Sequence, residues 1–170
     1  RPLKLPKFNK AIDDRYNKKL WYSVKKRPDI IIFEGWCVGA KAETNNTLKK
    51  SVNSLEKLKD KKLTWRRFVN KQLQSKYKQL YDQLNCLLYL KSKNFSLLRI
   101  WRIKQEKKLR LKNKRSNNHK IMSNKEVINF MQTYQRVTQN MFKYVPKYAS
   151  IILNLSSNHQ IKSVVYNKLK

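Results

Sequence analysis

The chain has 170 residues and a formal charge of +31, from 41 lysines and arginines against 10 aspartates and glutamates. That length suits one domain with a sizeable core. No apolar run approaches the ~18 residues of a membrane span, Cys37 and Cys86 lack metal or Cys-x-x-Cys spacing, and no secretory leader is visible. A reducing, cytoplasmic setting is the expectation. The basic excess is mostly lysine, 31 against 10 arginines, and it is scattered. Base readout and bidentate phosphate contacts favour arginine, so the charge does not by itself point to nucleic acid.

Residues 1–28 read as a loop-rich lead-in punctuated by Pro2, Pro6 and Pro28. Within it, Lys10, Asp13, Asp14 and Arg15 are close enough to line a polar site, or equally a solvated turn. The chain opens into Arg1-Pro-Leu-Lys-Leu-Pro6 with no element before it, so an entry partway through a larger protein is expected. Asp29-Ile-Ile-Ile-Phe33 is apolar on both faces and reads as a central strand of a buried, mostly parallel sheet. Glu34 and Gly35 follow at once. That puts a carboxylate at the carboxyl end of a strand, where open α/β sheets bind ligands. The chain has two glycines, Gly35 and Gly39, and both fall here.

Residues 41–50 read as a loop and Ser51 to Leu58 as a short helix. A long helix is predicted from about Thr64 to Leu84, with Trp65, Phe68, Val69, Leu73, Tyr77, Leu80, Tyr81 and Leu84 as its core stripe. Cys86 to Leu90 reads as a second buried strand. A helix from about Asn94 to Lys112 carries Arg99, Arg102, Gln105, Glu106 and Arg110. The basic segment 112–120 follows. Ser123 and Glu126 then form a capping-box pattern, Met122 and Val127 fit a hydrophobic staple, and Pro146 ends the helix. Ser150 to Leu155 reads as a third strand, with a last one near Val164. Strands separated by long helices give an α/β layered fold with a largely parallel sheet.

Several motifs come in a fixed succession. They are Pro-x-Phe-Asn-Lys-Ala-x-Asp-Asp-Arg at 6–15, Phe-Glu-Gly-Trp-Cys-Val-Gly at 33–39 and Trp-Arg-Arg-Phe-Val-Asn at 65–70. Arg-x-Trp-Arg-x-x-Gln-Glu follows at 99–106, and Met-Ser-x-x-Glu-Val-x-x-Phe-Met-Gln-x-Tyr at 122–134. This order resembles the glycerate kinase family of P-loop kinases, which includes D-glycerate 3-kinases and bacterial kinase-like relatives. The resemblance covers about residues 5–160.

The resemblance implies a three-layer α/β/α P-loop fold and an ATP-dependent kinase that phosphorylates a small hydroxy acid, glycerate, with Mg²⁺. The family's phosphate loop, Gly-x-x-x-x-Gly-Lys-[Ser/Thr], does not occur in these 170 residues. The expectation is therefore that residues 1–170 are the C-terminal portion of a single kinase domain, incomplete at its N-terminus and inactive alone. The strand would lie at about 29–33 and the lid at about 94–120. Carried over by motif, Glu34 would position Mg²⁺, directly or through water, or assist deprotonation of the acceptor. Lys10 and Arg15 would hold the acceptor's carboxylate or the transferring phosphoryl, and Asp14 is a second candidate base. Arg99, Arg102 and, more weakly, Arg110 would close over ATP. Asn9 stands where the family commonly has Asp, which puts either a base or an orienting group in question.

The expected partners are glycerate and ATP, with no membrane and no nucleic acid, and the oligomeric state is left open. Two other readings remain at this stage. One is a non-catalytic basic protein that binds RNA or a ribosomal surface. The other is a kinase of a different alcohol, such as a nucleoside or pantothenate.

Overall fold

The computed structural model describes residues 2–112 and 121–167. The lead-in is more ordered than a loop. β1 (Leu3–Leu5) pairs antiparallel with β4 (Tyr22–Val24), and between them β2 (Phe8–Asn9) pairs with β3 (Asp14–Arg15). Strands of two or three residues are too short to print an alternating pattern, so the sequence shows only the prolines around them.

The stretch expected to be the central strand behaves differently. Residues 30–35 form no ladder, and Ile30, Ile31 and Ile32 are 79, 80 and 87% exposed. A strand needs neighbours for its backbone N–H and C=O groups, and among the described residues this run has none. The expectation of a buried central strand is thus corrected for the chain as it is seen here.

Four helices follow: α1 (Asn45–Lys49), α2 (Ser54–Lys59), α3 (Thr64–Gln74) and α4 (Lys76–Tyr81). α1 lies inside the segment read as a loop. Its Thr44 cap accepts from the Thr47 N–H. The long helix predicted over 64–84 breaks at Ser75, whose backbone leaves the helical region at φ −118°, ψ −93°. Its apolar stripe is core only in part, with Leu73 packed against the cluster around Ala40 and Met141. Trp65 and Phe68 are more than half exposed and stack on each other, while α3 buries Arg66 and Asn70 instead.

The remaining chain builds a small mixed sheet. β5 (Leu88–Lys91) leads through α5 (Phe95–Lys112) and α6 (Asn124–Tyr144) to β6 (Ile151–Leu155), and β7 (Ile161–Tyr166) closes the order β5-β6-β7. β5 and β6 are parallel, with Tyr89 opposite Ile152. β6 and β7 are antiparallel, with Ile152 opposite Val165. The sheet is mixed rather than largely parallel, and β5 exposes Leu88 and Leu90 where a buried strand was expected.

α6 forms as its sequence signals require. Ser123 Oγ accepts from the Glu126 N–H, and Glu126 Oε2 accepts from the Ser123 N–H at 2.7 Å. Met122 packs beside Val127, and a 3₁₀ turn at Val145–Lys147, which contains Pro146, ends the helix. The core has two parts. Ala40, Met141, Val145, Ala149 and Ile152 join the segment after Gly39 to α6 and β6, while Phe95, Val127 and Met131 join α5 to α6. No helix among the described residues is long and apolar enough to cross a membrane.

Candidate active site

The Trp36–Ala40 stretch is clamped from several sides. Trp36 stacks on Tyr134 at 5.6 Å, and its Nε1–H donates to Thr138 Oγ1 at 2.9 Å, so α6 holds the indole twice. The Tyr81 hydroxyl donates to the Cys37 carbonyl at 3.0 Å, and the Tyr148 hydroxyl donates to the Gly39 carbonyl at 2.7 Å. Burial raises both phenols to about 12, so they stay protonated donors. Burial likewise pushes the Cys37 thiol up to about 11, which leaves it a neutral thiol and no nucleophile near neutral pH. Gly39 adopts φ +80°, and a Cβ there would lie 2.8 Å from the Leu87 side chain. Both facts require glycine. Glu34, two residues before Trp36, therefore projects from a fixed base. Its carboxylate is exposed and has no partner among the described residues.

The hairpin β2–β3 gathers the predicted acceptor residues. Phe8 lies opposite Arg15 and Asn9 opposite Asp14, with residues 10–13 as the tip. Asn9 Oδ1 accepts from the Ala11 N–H at 3.0 Å and so fastens the tip. An aspartate at this position has an oxygen for the same bond, so the Asn9 departure preserves the turn. Asp13 turns the chain at φ +55°, and Asp14 Oδ1 accepts from the Arg15 N–H at 2.6 Å. Lys10, Asp14 and Arg15 are exposed, and none of them forms an ion pair among the described residues. Asn9, Lys10, Asp14 and Arg15 thus share one hairpin. No hydrogen bond or ion pair among the described residues joins that hairpin to Glu34 or to the α5 arginines.

The three α5 arginines differ in how they are held. Arg99 makes a long contact to Ser96 Oγ at 3.4 Å. Arg110 donates to the Met122 carbonyl at 2.9 Å, tying the end of α5 to the start of α6. Arg102 is mostly covered. It ion-pairs with buried Glu106 one turn on and lies over the Phe130 ring of α6. The end of the expected lid, residues 113–120, lies outside the described residues.

Sequence reasoning missed a buried charge network. Arg136 of α6 donates from Nε and Nη2 to Glu56 at 2.8 and 2.7 Å, and from Nη1 to Glu43 at 3.1 Å. It also reaches the Lys50 and Thr47 carbonyls. Arg66 of α3 bonds Asp60 through Nε at 2.9 Å and the Asp60 and Leu48 carbonyls through its Nη atoms. Burial alone would raise the Asp60 carboxyl, but the Trp65 and Arg66 N–H groups and the Arg66 guanidinium hold it below the usual range. Arg136 is raised although burial opposes it, because Glu56 and Glu43 accept from it. Asn70 exchanges both amide bonds with the Glu43 backbone. These partners satisfy one another and leave little to offer a substrate. The network fastens residues 41–60 to α3 and α6. A signal was available in the sequence: Asn53-x-x-Glu56 has capping-box spacing, in a chain with few acids to spare.

Among the described residues no cluster of three or more His, Cys, Asp or Glu forms a metal site. Magnesium beside nucleotide phosphates needs only one or two carboxylates and keeps several waters. The lone exposed carboxylate of Glu34 fits that donor set.

The chain is mixed α/β, with helices beside a small sheet. It is similar to the D-glycerate 3-kinase from Cryptococcus neoformans var. grubii, with a TM-score of 0.72 and 19% identity, over 98% of this chain and 60% of that one. It is also similar to the YGR205w protein, with a TM-score of 0.62 and 21% identity, over 99% of this chain and 59% of that one. The resemblance to glycerate kinases read from the motifs agrees with this likeness in fold. The chain spans about three-fifths of the length of both solved structures. The sequence matches no family model and no curated protein.

Proposed function

We propose that this chain is the acceptor-binding and lid portion of an ATP-dependent kinase of the P-loop type, and that its acceptor is a small hydroxy acid, D-glycerate in the first instance. The observation that carries this reading is the likeness in fold to a D-glycerate 3-kinase over 98% of the chain. The hairpin that collects Asn9, Lys10, Asp14 and Arg15 supports it. Two cations on one hairpin suit a carboxylate-bearing acceptor, and Arg15 has the planar fork that grips a carboxylate in two places.

In this reading the acceptor hydroxyl oxygen attacks the γ-phosphorus. The bond from that phosphorus to the β–γ bridging oxygen breaks, and ADP leaves. The hydroxyl proton passes to a carboxylate, Glu34 or in second place Asp14. Mg²⁺ held near Glu34 would neutralise phosphate charge. Arg99 and Arg110 approach the phosphoryl oxygens from α5, and Arg102 does so already oriented by Glu106. The phosphate-binding loop comes from polypeptide outside these 170 residues, so the chain alone does not turn over.

The test joins the chain to the phosphate-loop part of the fungal kinase and measures formation of phosphoglycerate from ATP and glycerate. Product that depends on Glu34 and Arg15 is expected. A folded, ATP-binding chimera that makes none overturns the assignment.

A further inference from the structure

The Glu34 segment and the α5 arginines share no hydrogen bond or ion pair among the described residues, yet a row of rings on α6 runs from one to the other. Trp36, two residues after Glu34, stacks on Tyr134 at 5.6 Å. Its indole N–H donates to Thr138 Oγ1, which itself donates to the Tyr134 carbonyl. Phe130, one turn before Tyr134, meets that ring at 5.2 Å and a tilt of 59°, an arrangement of the kind aromatic pairs favour. The Arg102 guanidinium lies 5.9 Å from the Phe130 centroid, within cation–π reach. Phe130, Tyr134 and Thr138 fall four residues apart and so share one line along α6.

This line is not the core face of the helix. α6 buries Val127, Met131 and Met141, while Phe130 and Trp36 stay more than a third exposed. The rings therefore contribute position more than burial, and Arg102 shows what is positioned. Buried Glu106 holds one edge of its guanidinium and Phe130 covers one face. Glu106 Oε2 has no hydrogen-bond donor among the described residues, so that carboxylate leans on Arg102. No second acceptor for Arg102 is found among the described residues, which leaves the rest of its fork open to an anion. We propose that Phe130 and Tyr134 are positioning residues, which hold Arg102 and the Glu34 segment at a fixed separation so that the cation and the candidate base meet one phosphoryl group. The proposal deepens the kinase reading and rests on it.

Two experiments test it. In the 170-residue chain, nitrogen NMR follows the Arg102 Nε–H and Trp36 Nε1–H signals, assigned with Arg102→Lys and Trp36→Phe. Phe130→Leu should displace the Arg102 signal and, through Tyr134, the Trp36 signal, while hydrogen exchange in α6 stays unchanged. Phe130→Tyr keeps a ring and should leave both signals nearly in place. In the chain joined to the phosphate-loop part of the fungal kinase, Phe130→Leu should lower kcat by ~10-fold, less than the ~10²–10³-fold cost of losing a whole charge-stabilising donor. KM for glycerate should stay within ~2-fold, and Phe130→Tyr should restore kcat. In an Arg102→Met background, Phe130→Leu should cost less than ~2-fold more, because the group it aims is gone. Phe68→Leu removes another exposed, stacked ring, from α3, and should change none of these readings.

An Arg102 signal that ignores Phe130→Leu overturns the proposal. So does a kcat loss that Phe130→Tyr does not repair, one that adds in full to Arg102→Met, or one that Phe68→Leu reproduces; each of these would leave the kinase in place and make the rings structural only. A parent chimera that makes no phosphoglycerate removes the kinase reading instead, and the NMR signals then still decide whether the row ties Arg102 to Trp36.

Discussion

Arg136→Met tests whether the buried network fastens residues 41–60 to α6. The Arg136 side chain is 8% exposed, and every nitrogen of its guanidinium has an acceptor. Its loss leaves Glu43 without a cation and the Lys50 and Thr47 carbonyls without this donor. Glu56 keeps the Val52 N–H and a 3.7 Å contact to Arg66. Breaking one side of a buried pair costs about 3–5 kcal/mol. At about 2–4 °C per kcal/mol for a chain of this size, the thermal midpoint should fall by roughly 6–20 °C. Urea unfolding followed by far-UV circular dichroism measures the free energy directly. Arg136→Lys, which keeps the charge without the fork, should fall between. Adding Glu43→Gln and Glu56→Gln to the methionine variant should recover part of the loss, because the stranded charges are then gone. A methionine variant within ~1 kcal/mol of the parent would refute the reasoning.

Other perturbations follow from the same structure. Gly39→Ala places a Cβ against Leu87 at φ +80° and should destabilise by about 1–3 kcal/mol, partly relieved by adding Leu87→Ala, as a urea double-mutant cycle would read. Because the folded-state pKa of Asp60 is depressed, its contribution is present above the unfolded carboxyl pKa of ~3.9 and is lost as pH falls through the lower folded value. Asp60→Asn should flatten that part of the stability–pH curve. Iodoacetamide near pH 8 should label exposed Cys86 well before Cys37, whose thiol is raised to about 11, and equal rates would contradict the packing of the Trp36–Ala40 clamp. In a reconstituted kinase, Glu34→Gln should lower kcat by about 10²–10³-fold, and Arg15→Met should raise KM for the acid more than it changes kcat.

The elements legible in the sequence were those with long periods and explicit end signals. α6 is the clearest, from its capping box and staple to Pro146. The sheet strands β5, β6 and β7 fell near their expected places. The nested ribbons of residues 3–24 were not legible, because pairings of two or three residues are fixed by their partners and not by pattern. The break at Ser75 carries no proline or glycine to announce it. The exposure of Trp65 and Phe68 came from the opposite face of α3, where Arg66 and Asn70 find buried partners that no local pattern reveals. At the candidate site, motif order singled out Asn9, Lys10, Asp14, Arg15 and Glu34 as residues, but did not show that the first four share a hairpin. It did not bring out the clamp of Tyr81, Tyr148 and α6 that holds the Glu34 segment, since those contacts span 44 to 109 residues of sequence.

The most direct test of the central claim is an acceptor panel on the chain joined to the phosphate-loop part of the fungal kinase. Phosphorus NMR would follow ATP with D-glycerate, a nucleoside, pantothenate or buffer alone. The account predicts a new phosphate monoester with glycerate, ADP in equal amount, and loss of both in Glu34→Gln. Monoester on the nucleoside or pantothenate in preference to glycerate, or inorganic phosphate as the sole product, would contradict it.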